Sequence, residues 1–367
     1  MKLKNKYGFT LIELLAVIVV LAIIALIATP IVMNTIKNAK KGATERSADS
    51  YIKQVETAVA TAKLDGKDIP EGTYQINDKG NLEGNGLTEP LVIEMNGNKP
   101  TGGTITIKSG NVSKLGTKLV IGDYNVKYKD DKLTAVEPYK GVLCKANTTK
   151  ATALVWSGNA DPNKESSYTR EEVGLLASEA TSKYDVGVTY TCELGDGEGN
   201  TFYVLETSGD NVSLIAGMNL GTTVAWATKE DYIAAGGTES DYGSSGNNNL
   251  GPITANKILK ERTSGWTKLD EDQITLPSGK QIATAGGDTK WNDSTYGNGF
   301  SSAKWLYCSP KFIKETAGYW TSSPNASDAR NAWSVNAGGN LNSNIGVRYS
   351  SVYGVRPVIT ILKSQLG

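Results

Sequence analysis

Three sets of residues in this chain have the means to do chemistry. The first is Glu13, a carboxylate inside an apolar run directly after Gly8-Phe9-Thr10-Leu11-Ile12. The twenty residues from Leu14 to Met33 carry no charge, enough for a helix to cross about 30 Å of hydrocarbon. An acid near the start of such a helix costs roughly 2.5–3.5 kcal/mol to insert, so its chemistry is that of a group awaiting a cation. The second set is Cys144, Cys192 and Cys308, which an oxidising compartment can link. The third lies between Asn325 and Tyr353, where Asn331, Asn336, Asn340, Asn342, Asn344, Arg348, Tyr349, Ser350, Ser351 and Tyr353 are concentrated. Adaptable hydrogen bonders around rigid aromatic rings are what recognition surfaces use.

What is missing narrows the function. The chain has no histidine, which removes the commonest general base and the commonest transition-metal ligand together. No serine sits in a G-x-S-x-G turn and no base is present to activate one. No catalytic residue, metal site or cofactor is expected, and the chain does not read as an enzyme. Asp196, Glu198 and Asn200 carry oxygens suited to calcium, but a Gly- and Asp-rich hairpin turn accounts for them without an ion. The 38 basic residues balance 38 acidic ones, so no basic excess points to nucleic acid.

The elements that must position these groups follow from hydrophobic period. Lys2, Lys4 and Lys6 precede the apolar run and none lies inside it, which favours a cytoplasmic amino terminus and export of everything after Met33. Beyond the span, Ile36, Ala39, Ala43, Ile52, Val55, Val59 and Ala62 recur at spacings of three, four and seven, with a gap around Ser47. They form a stripe under a lysine-rich face, and Asp65-Gly66 ends it. Short alternating runs then predict strands at Thr73–Ile76, Leu91–Met95, Thr104–Lys108, Lys118–Ile121, Tyr124–Tyr128 and Lys132–Val136. Turn residues such as Asn96-Gly97 and Asp130-Asp131 separate them, and Glu137-Pro138 closes the unit. With 367 residues the chain has room for a second unit. There, strands are expected at Val186–Cys192, Thr201–Thr207 and Val212–Ala216. Helices are expected at Thr169–Lys183, Lys229–Ala235 and Ile253–Glu261, and a further one capped by Ser278. Strands return at Tyr319–Ser323, Ala332–Asn336 and Gly354–Ile359.

A Cys144–Cys192 bridge would close a loop of about 50 residues, contributing on the order of 4 kcal/mol in the chain-entropy account. With Cys308 as the third cysteine, three pairings exist, and separate buried thiols are the alternative.

The segment KYGFTLIELLAVIVVLAIIALIATPIV closely resembles the amino terminus of type IV prepilins and pseudopilins. A signal-peptidase site at Ala28-Thr29-Pro30 is a poor match because of its proline. The resemblance implies a leader of residues 1–8, cleavage by a prepilin peptidase after Gly8, and methylation of the new amino-terminal Phe9. It also implies that the apolar helix is retained. Cleavage removes three lysines, taking the balance from 38 against 38 to 35 against 38, and creates an amine near Glu13. In an assembled filament that amine, on a neighbouring subunit, would pair with Glu13, since a buried charge without a partner is costly. Pro30 falls where the family's helices carry a proline; it withholds a backbone donor and bends or loosens the helix. The implied partners are other pilin subunits, the peptidase and an inner-membrane assembly platform. The protein would sit in the membrane before assembly and at the surface after it.

A second resemblance rests on four motifs in order: LPSGKQI from Leu276, YWTSSPN from Tyr319, AWSVNAGG from Ala332 and GVRPVITI from Gly354. Together they are similar to bacterial domains with a C-type-lectin-like fold, including relatives of formylglycine-generating enzymes. Those enzymes use a late cysteine pair that this chain lacks, so the activity is not implied. Trp291-Asn292-Asp293 matches a triplet of calcium-dependent lectins but lies too early in the fold, and Arg356 reads as a structural ion-pair partner. Binding near the last strand is what the resemblance implies, with Asn340, Asn342, Asn344, Arg348, Tyr349 and Tyr353 as candidates for a surface glycan or protein ligand.

The expected fold is therefore α+β. A helix over 9–65, with its membrane span at 9–33, packs on an antiparallel β-meander over 66–138, and a C-type-lectin-like domain occupies 141–367. The expected function is a pilin-like filament subunit, minor or at the tip and adhesive. The alternative is a pseudopilin of a type II secretion or DNA-uptake machine.

Overall fold

A computed structural model describes residues 11–156, 168–288, 291, 303–306, 318–351 and 353–367. The architecture is α+β, and the chain divides into two compact units, Met1–Pro138 and Tyr139–Gly367.

The first unit is built on one helix, α1 (Leu11–Leu64). Its buried positions are Ala48, Tyr51, Ile52, Val55, Val59 and Ala62, the three-and-four spacing of a single face. That face lies on six strands: β1 (Gly72–Ile76), β2 (Leu82–Glu83), β3 (Gly102–Lys108), β4 (Asn111–Ile121), β5 (Tyr124–Lys129) and β6 (Lys132–Val136), in the spatial order β2-β1-β3-β4-β5-β6. All their pairings are antiparallel. Tyr74, Ile105, Leu119 and Val126 point from the sheet into the shared core. Asp130 and Asp131 join β5 to β6 with φ of 47° and 63°, the left-handed pair that a two-residue hairpin needs. Polar side chains of α1 finish the junction. The Tyr51 hydroxyl donates to the Gly80 carbonyl at 2.9 Å, and the carboxylates of Glu45 and Glu56 accept the Ala135 and Val112 amides at 3.0 and 3.1 Å.

Two expectations fail here. Leu91–Met95 is not a strand; Leu91 makes an isolated bridge to Leu82. Side chains take the segment's backbone groups instead, with Asn81 accepting the Ile93 amide and Lys99 donating to the Ile93 carbonyl. The helix stripe is also covered only from Ala48 onward. Ile36, Ala39 and Ala43 are exposed; there the sheet end meets the helix through polar groups, with Glu45 accepting the Ala135 amide and Lys37 pairing with Glu137.

The second unit begins with β7 (Cys144–Ala146), β8 (Ala151–Trp156) and β9 (Tyr168–Val173), then β10 (Thr189–Glu193), β11 (Gly199–Ser208) and β12 (Asn211–Ala216). Short helices follow: α2 (Lys229–Ala234), α3 (Glu239–Tyr242) and α4 (Ile253–Arg262). After β13 (Ile274–Thr275) comes α5 (Gly279–Ala285). The end of the unit carries β14 (Gly318–Pro324), β15 (Asn331–Asn336), β16 (Leu341–Gly346), β17 (Tyr353–Gly354) and β18 (Val358–Leu362). Among the described residues these strands make a six-stranded sheet β13-β18-β12-β11-β10-β7, a four-stranded sheet β16-β15-β14-β17 and the β8–β9 pair. Both larger sheets bury both faces. Phe202, Val204 and Leu214 enter one cluster, while Tyr203, Leu205 and Ile215 enter another shared with Tyr319, Trp333 and Leu341. Trp320 and Tyr353 fill a third with Trp226.

Ser278 caps α5 as expected. Its hydroxyl accepts the Gln281 amide while the Gln281 side chain accepts the Ser278 amide, a reciprocal capping box. The expected helix over Thr169–Lys183 does not form. Its first residues are β9, paired in register with β8 from Trp156↔Tyr168 to Ala151↔Val173, and Gly174 with φ +80° turns the chain away. A partner strand settled what the apolar spacing left ambiguous.

Candidate functional site

The assembly end of the molecule is the uncovered part of α1. Gly8 and Phe9, the expected cleavage and methylation pair, lie outside the described residues. Glu13 occupies the first turn of α1, where a carboxylate complements the helix's unsatisfied amides. From Leu11 to Met33 the apolar side chains face outward, with Leu11 88% exposed and Leu26 78% exposed. No described residue of the first unit covers them. This is the one described helix long and apolar enough to cross a membrane. α1 continues through Pro30 without interruption. Pro30 has no N–H for the Leu26 carbonyl, and on either side Thr29 and Thr35 hydroxyls donate to the Ala25 and Ile31 carbonyls at 2.6 and 2.9 Å. Farther along, Lys37 pairs with Glu137 at 2.7 Å.

The expected ligand residues divide into surface and core. Asn340 is exposed at the β15–β16 turn, where its amide donates to the Asn336 side chain at 3.0 Å. Asn342 is half-buried and uses its side-chain oxygen to accept the Asn344 amide at 2.9 Å; Asn344 itself is exposed. Arg348 and Tyr349 are exposed side by side, the guanidinium 5.6 Å from the ring centre. Tyr353 does not join them. It is 4% exposed and packs on Trp320 with ring centres 5.0 Å apart, because β17 lies inside the unit beside β14.

A neighbour of this surface was not read from the sequence. Arg348 donates to the Ser244 carbonyl at 2.6 Å, which brings the Gly243–Leu250 loop to the same face. Asn248 bolts that loop in place. Buried at 7% exposure, its amide nitrogen donates to the carbonyls of Asn325, Asp328 and Asn331 at 3.0, 3.1 and 2.7 Å. The only local signal was the run Gly243-Ser244-Ser245-Gly246-Asn247-Asn248-Asn249, which looks like any turn. Nearby, Arg330 grips Asp328 through two nitrogens at 2.9 and 2.8 Å. That contact holds the Asp328 carboxyl down to about 2.

Other singled-out residues serve packing. Arg356 is fully buried and donates to the carbonyls of Ala216, Trp305 and Leu306 at 2.6, 2.7 and 3.0 Å. These backbone dipoles stabilise its charge inside the unit. Trp291 packs at a tilt against Trp333, ring centres 4.6 Å apart, and fills the space above Gly279; Asn292 and Asp293 lie outside the described residues. The Asp196 carboxylate accepts from Trp266, Asn200 and the Glu198 amide at 2.9, 3.2 and 3.1 Å, closing its turn. Cys144 and Cys192 form a disulfide, and Cys308 lies outside the described residues. An open groove of about 810 Å³, lined by Glu206, Lys260, Lys280, Gln281 and Ser322 among others, shares no side chain with the Arg348 surface.

An apolar helix with an acid in its first turn defines a class. Residues 3–29 match the prokaryotic N-terminal methylation motif, which makes this a type IV prepilin-like amino terminus. Such a motif implies a prepilin peptidase, assembly with other subunits, and a membrane-anchored protein that later reaches the surface. Residues 253–363 match a domain of unknown function (DUF6273), and that match assigns no activity. No curated protein and no solved structure matches the chain.

Proposed function

We propose that this protein is a structural subunit of an extracellular type IV pilin-like filament, minor or at the tip, and that residues 141–367 form a lectin-like adhesive domain. The observation that carries the reading is the uncovered stretch Leu11–Met33 beneath a methylation motif, joined to a second folded unit larger than the first. An apolar surface of that kind needs a bilayer or other copies of itself. In the filament Glu13 meets the Phe9 amine of a neighbour, which neutralises both. A bulky second unit on every shaft subunit would crowd the filament, so sparse or terminal placement relieves the sterics. The domain acts by binding rather than by turnover. Its ligand, a surface glycan or protein, docks on the face carrying Asn340, Asn344, Arg348 and Tyr349, and the assembly platform is the remaining partner.

Immunogold labelling of sheared surface filaments tests this. Sparse or terminal gold on fibres is the expected outcome. Label confined to the envelope would instead identify a pseudopilin.

A further inference from the structure

In an adhesive filament subunit, and this inference rests on that reading, tension must pass from the anchored helix to the ligand face. It has one covalent route into the second unit, through Pro138 and Tyr139, because all three cysteines lie beyond that point. The first strand on the route is β7, three residues long and at the edge of the six-stranded sheet. A short edge strand loaded at one end opens its ladder one bond at a time, so it resists little. On its outer side β7 meets the chain end, where Leu143, Cys144 and Leu366 share one buried cluster and backbone hydrogen bonds join the two segments. The Leu143 amide donates to Gln365 at 2.8 Å, and the Gly367 amide donates to the Cys144 carbonyl at 2.9 Å.

Once the Gln365 contacts to Tyr139 and Leu143 give way, load falls on Cys144, the first residue of β7 and the one bonded to Cys192. Cys192 lies directly opposite it on β10. β10 is an inner strand, flanked by β7 and β11. It is in register with β11 over five pairs, from Thr189↔Tyr203 to Glu193↔Gly199. Its Tyr190 and Cys192 are fully buried. The bridge also encloses the β8–β9 pair, which among the described residues forms a sheet of only two strands. Such a pair is the weakest element to place under load.

The geometry points to the Cys144–Cys192 bond as a load bypass. It delivers tension from the linker straight into β10 and keeps residues 145–191, with β8 and β9 among them, outside the stressed path. Adhesion then fails only when the sheet interior gives way, not when its edge peels.

Optical tweezers on the full processed chain in detergent provide the test. One handle sits at the amino terminus and the other on an azide-bearing side chain replacing Asn344. The oxidised protein is expected to open its second unit without a preceding low-force step. Cys144→Val/Cys192→Val, which keeps both sites apolar, is expected to add an earlier event at less than half the force. That event would release up to about 170 Å, from the 48-residue separation and roughly 3.3–3.6 Å per extended residue. A variant opening in one event at the wild-type force overturns the proposal. A second measurement needs no cysteine change: the first handle moves to an azide replacing Glu198, in the β10–β11 turn. Equal opening forces for the two entry points support the bypass, and a clearly lower force from the amino terminus overturns it. Ligand binding is scored separately on the untethered wild-type protein, whose Asn344 is intact, so failure of the adhesive reading and failure of the bypass leave different records.

Discussion

The guanidinium of Arg356 sits 5.1 Å from the centre of the Tyr319 ring, and both side chains are fully buried. Around them the carbonyls of Ala216, Trp305 and Leu306 converge on one cation. Arg356→Met would leave these acceptors without their donor, at about 1–3 kcal/mol for each orphaned group. A loss of about 3 kcal/mol or more is expected. Arg356→Lys should recover little, because a point-like ammonium does not span the carbonyls that a planar fork reaches. All seven tryptophans lie in the second unit, so their fluorescence during urea unfolding reports that unit alone. An unchanged midpoint in either variant would contradict this account.

At the other end of the chain, the exported protein is expected to start at a methylated Phe9. Glu13→Gln should leave processing intact and abolish or sharply reduce incorporation into filaments, since the neighbouring amine loses its counter-charge. Mass spectrometry of the mature protein and immunoblots of sheared filaments measure both. An intact leader, a cut near Ala28, or normal incorporation of the variant would defeat the pairing.

Tyr349 and Tyr353, four residues apart, should respond oppositely to truncation. Tyr349 is 51% exposed beside Arg348, so Tyr349→Ala and Arg348→Ala should weaken ligand binding and leave the urea midpoint within about 0.5 kcal/mol of wild type. Tyr353→Ala should cost about 3–5 kcal/mol through the cavity it leaves against Trp320. Glycan-array or matrix binding together with unfolding curves separates the two roles. Equal effects on both readouts would remove the distinction.

Stability should be flat through neutral pH and fall at both extremes. No histidine is present, so no side chain with an ordinary value near 6.5 titrates there. Burial pushes the Tyr190 phenol up to about 12, and it donates to the Lys183 carbonyl at 2.7 Å. Its folded value lies above the unfolded one near 10. Its contribution is therefore complete below about pH 10 and is lost as pH rises towards 12. Asp328 runs the other way. The Arg330 hydrogen bond holds it at about 2, below the unfolded value near 3.9, so its contribution fades as pH falls towards 2. Thermal midpoints from pH 2 to 12 measure this, and Tyr190→Phe should shrink the alkaline loss. A sharp change between pH 6 and 7 would speak against the scheme.

Much of the fold was legible because it depends on local chemistry. The uncharged run from Leu14 to Met33 dictates a long apolar helix whatever surrounds it. Asp130-Asp131 reports a left-handed hairpin turn, and Ser278 with Gln281 spells out a helix start. The misreadings share a cause. The first residues of Thr169–Lys183 were claimed by β8, a partner strand that pairs them as far as Val173. Leu91–Met95 has strand-like composition, yet Asn81 and Lys99 took its backbone groups. Nothing around Asn248 announced that one amide would clasp three carbonyls from a hairpin some eighty residues away.

By itself the sequence determined what neighbours along the chain can enforce: the processing signal, the spanning helix with its acid, the turns and the caps. These rest on dihedral preference, on side chains within a turn of one another, and on the transfer energy of a continuous segment. Only the tertiary structure decided which polar groups meet across long separations. It set Tyr349 outward and Tyr353 inward, faced Cys144 with Cys192 across two strands, and gathered three carbonyls from two distant segments around Arg356. Burial of that kind is a property of packed surfaces, and no stretch of chain carries it alone.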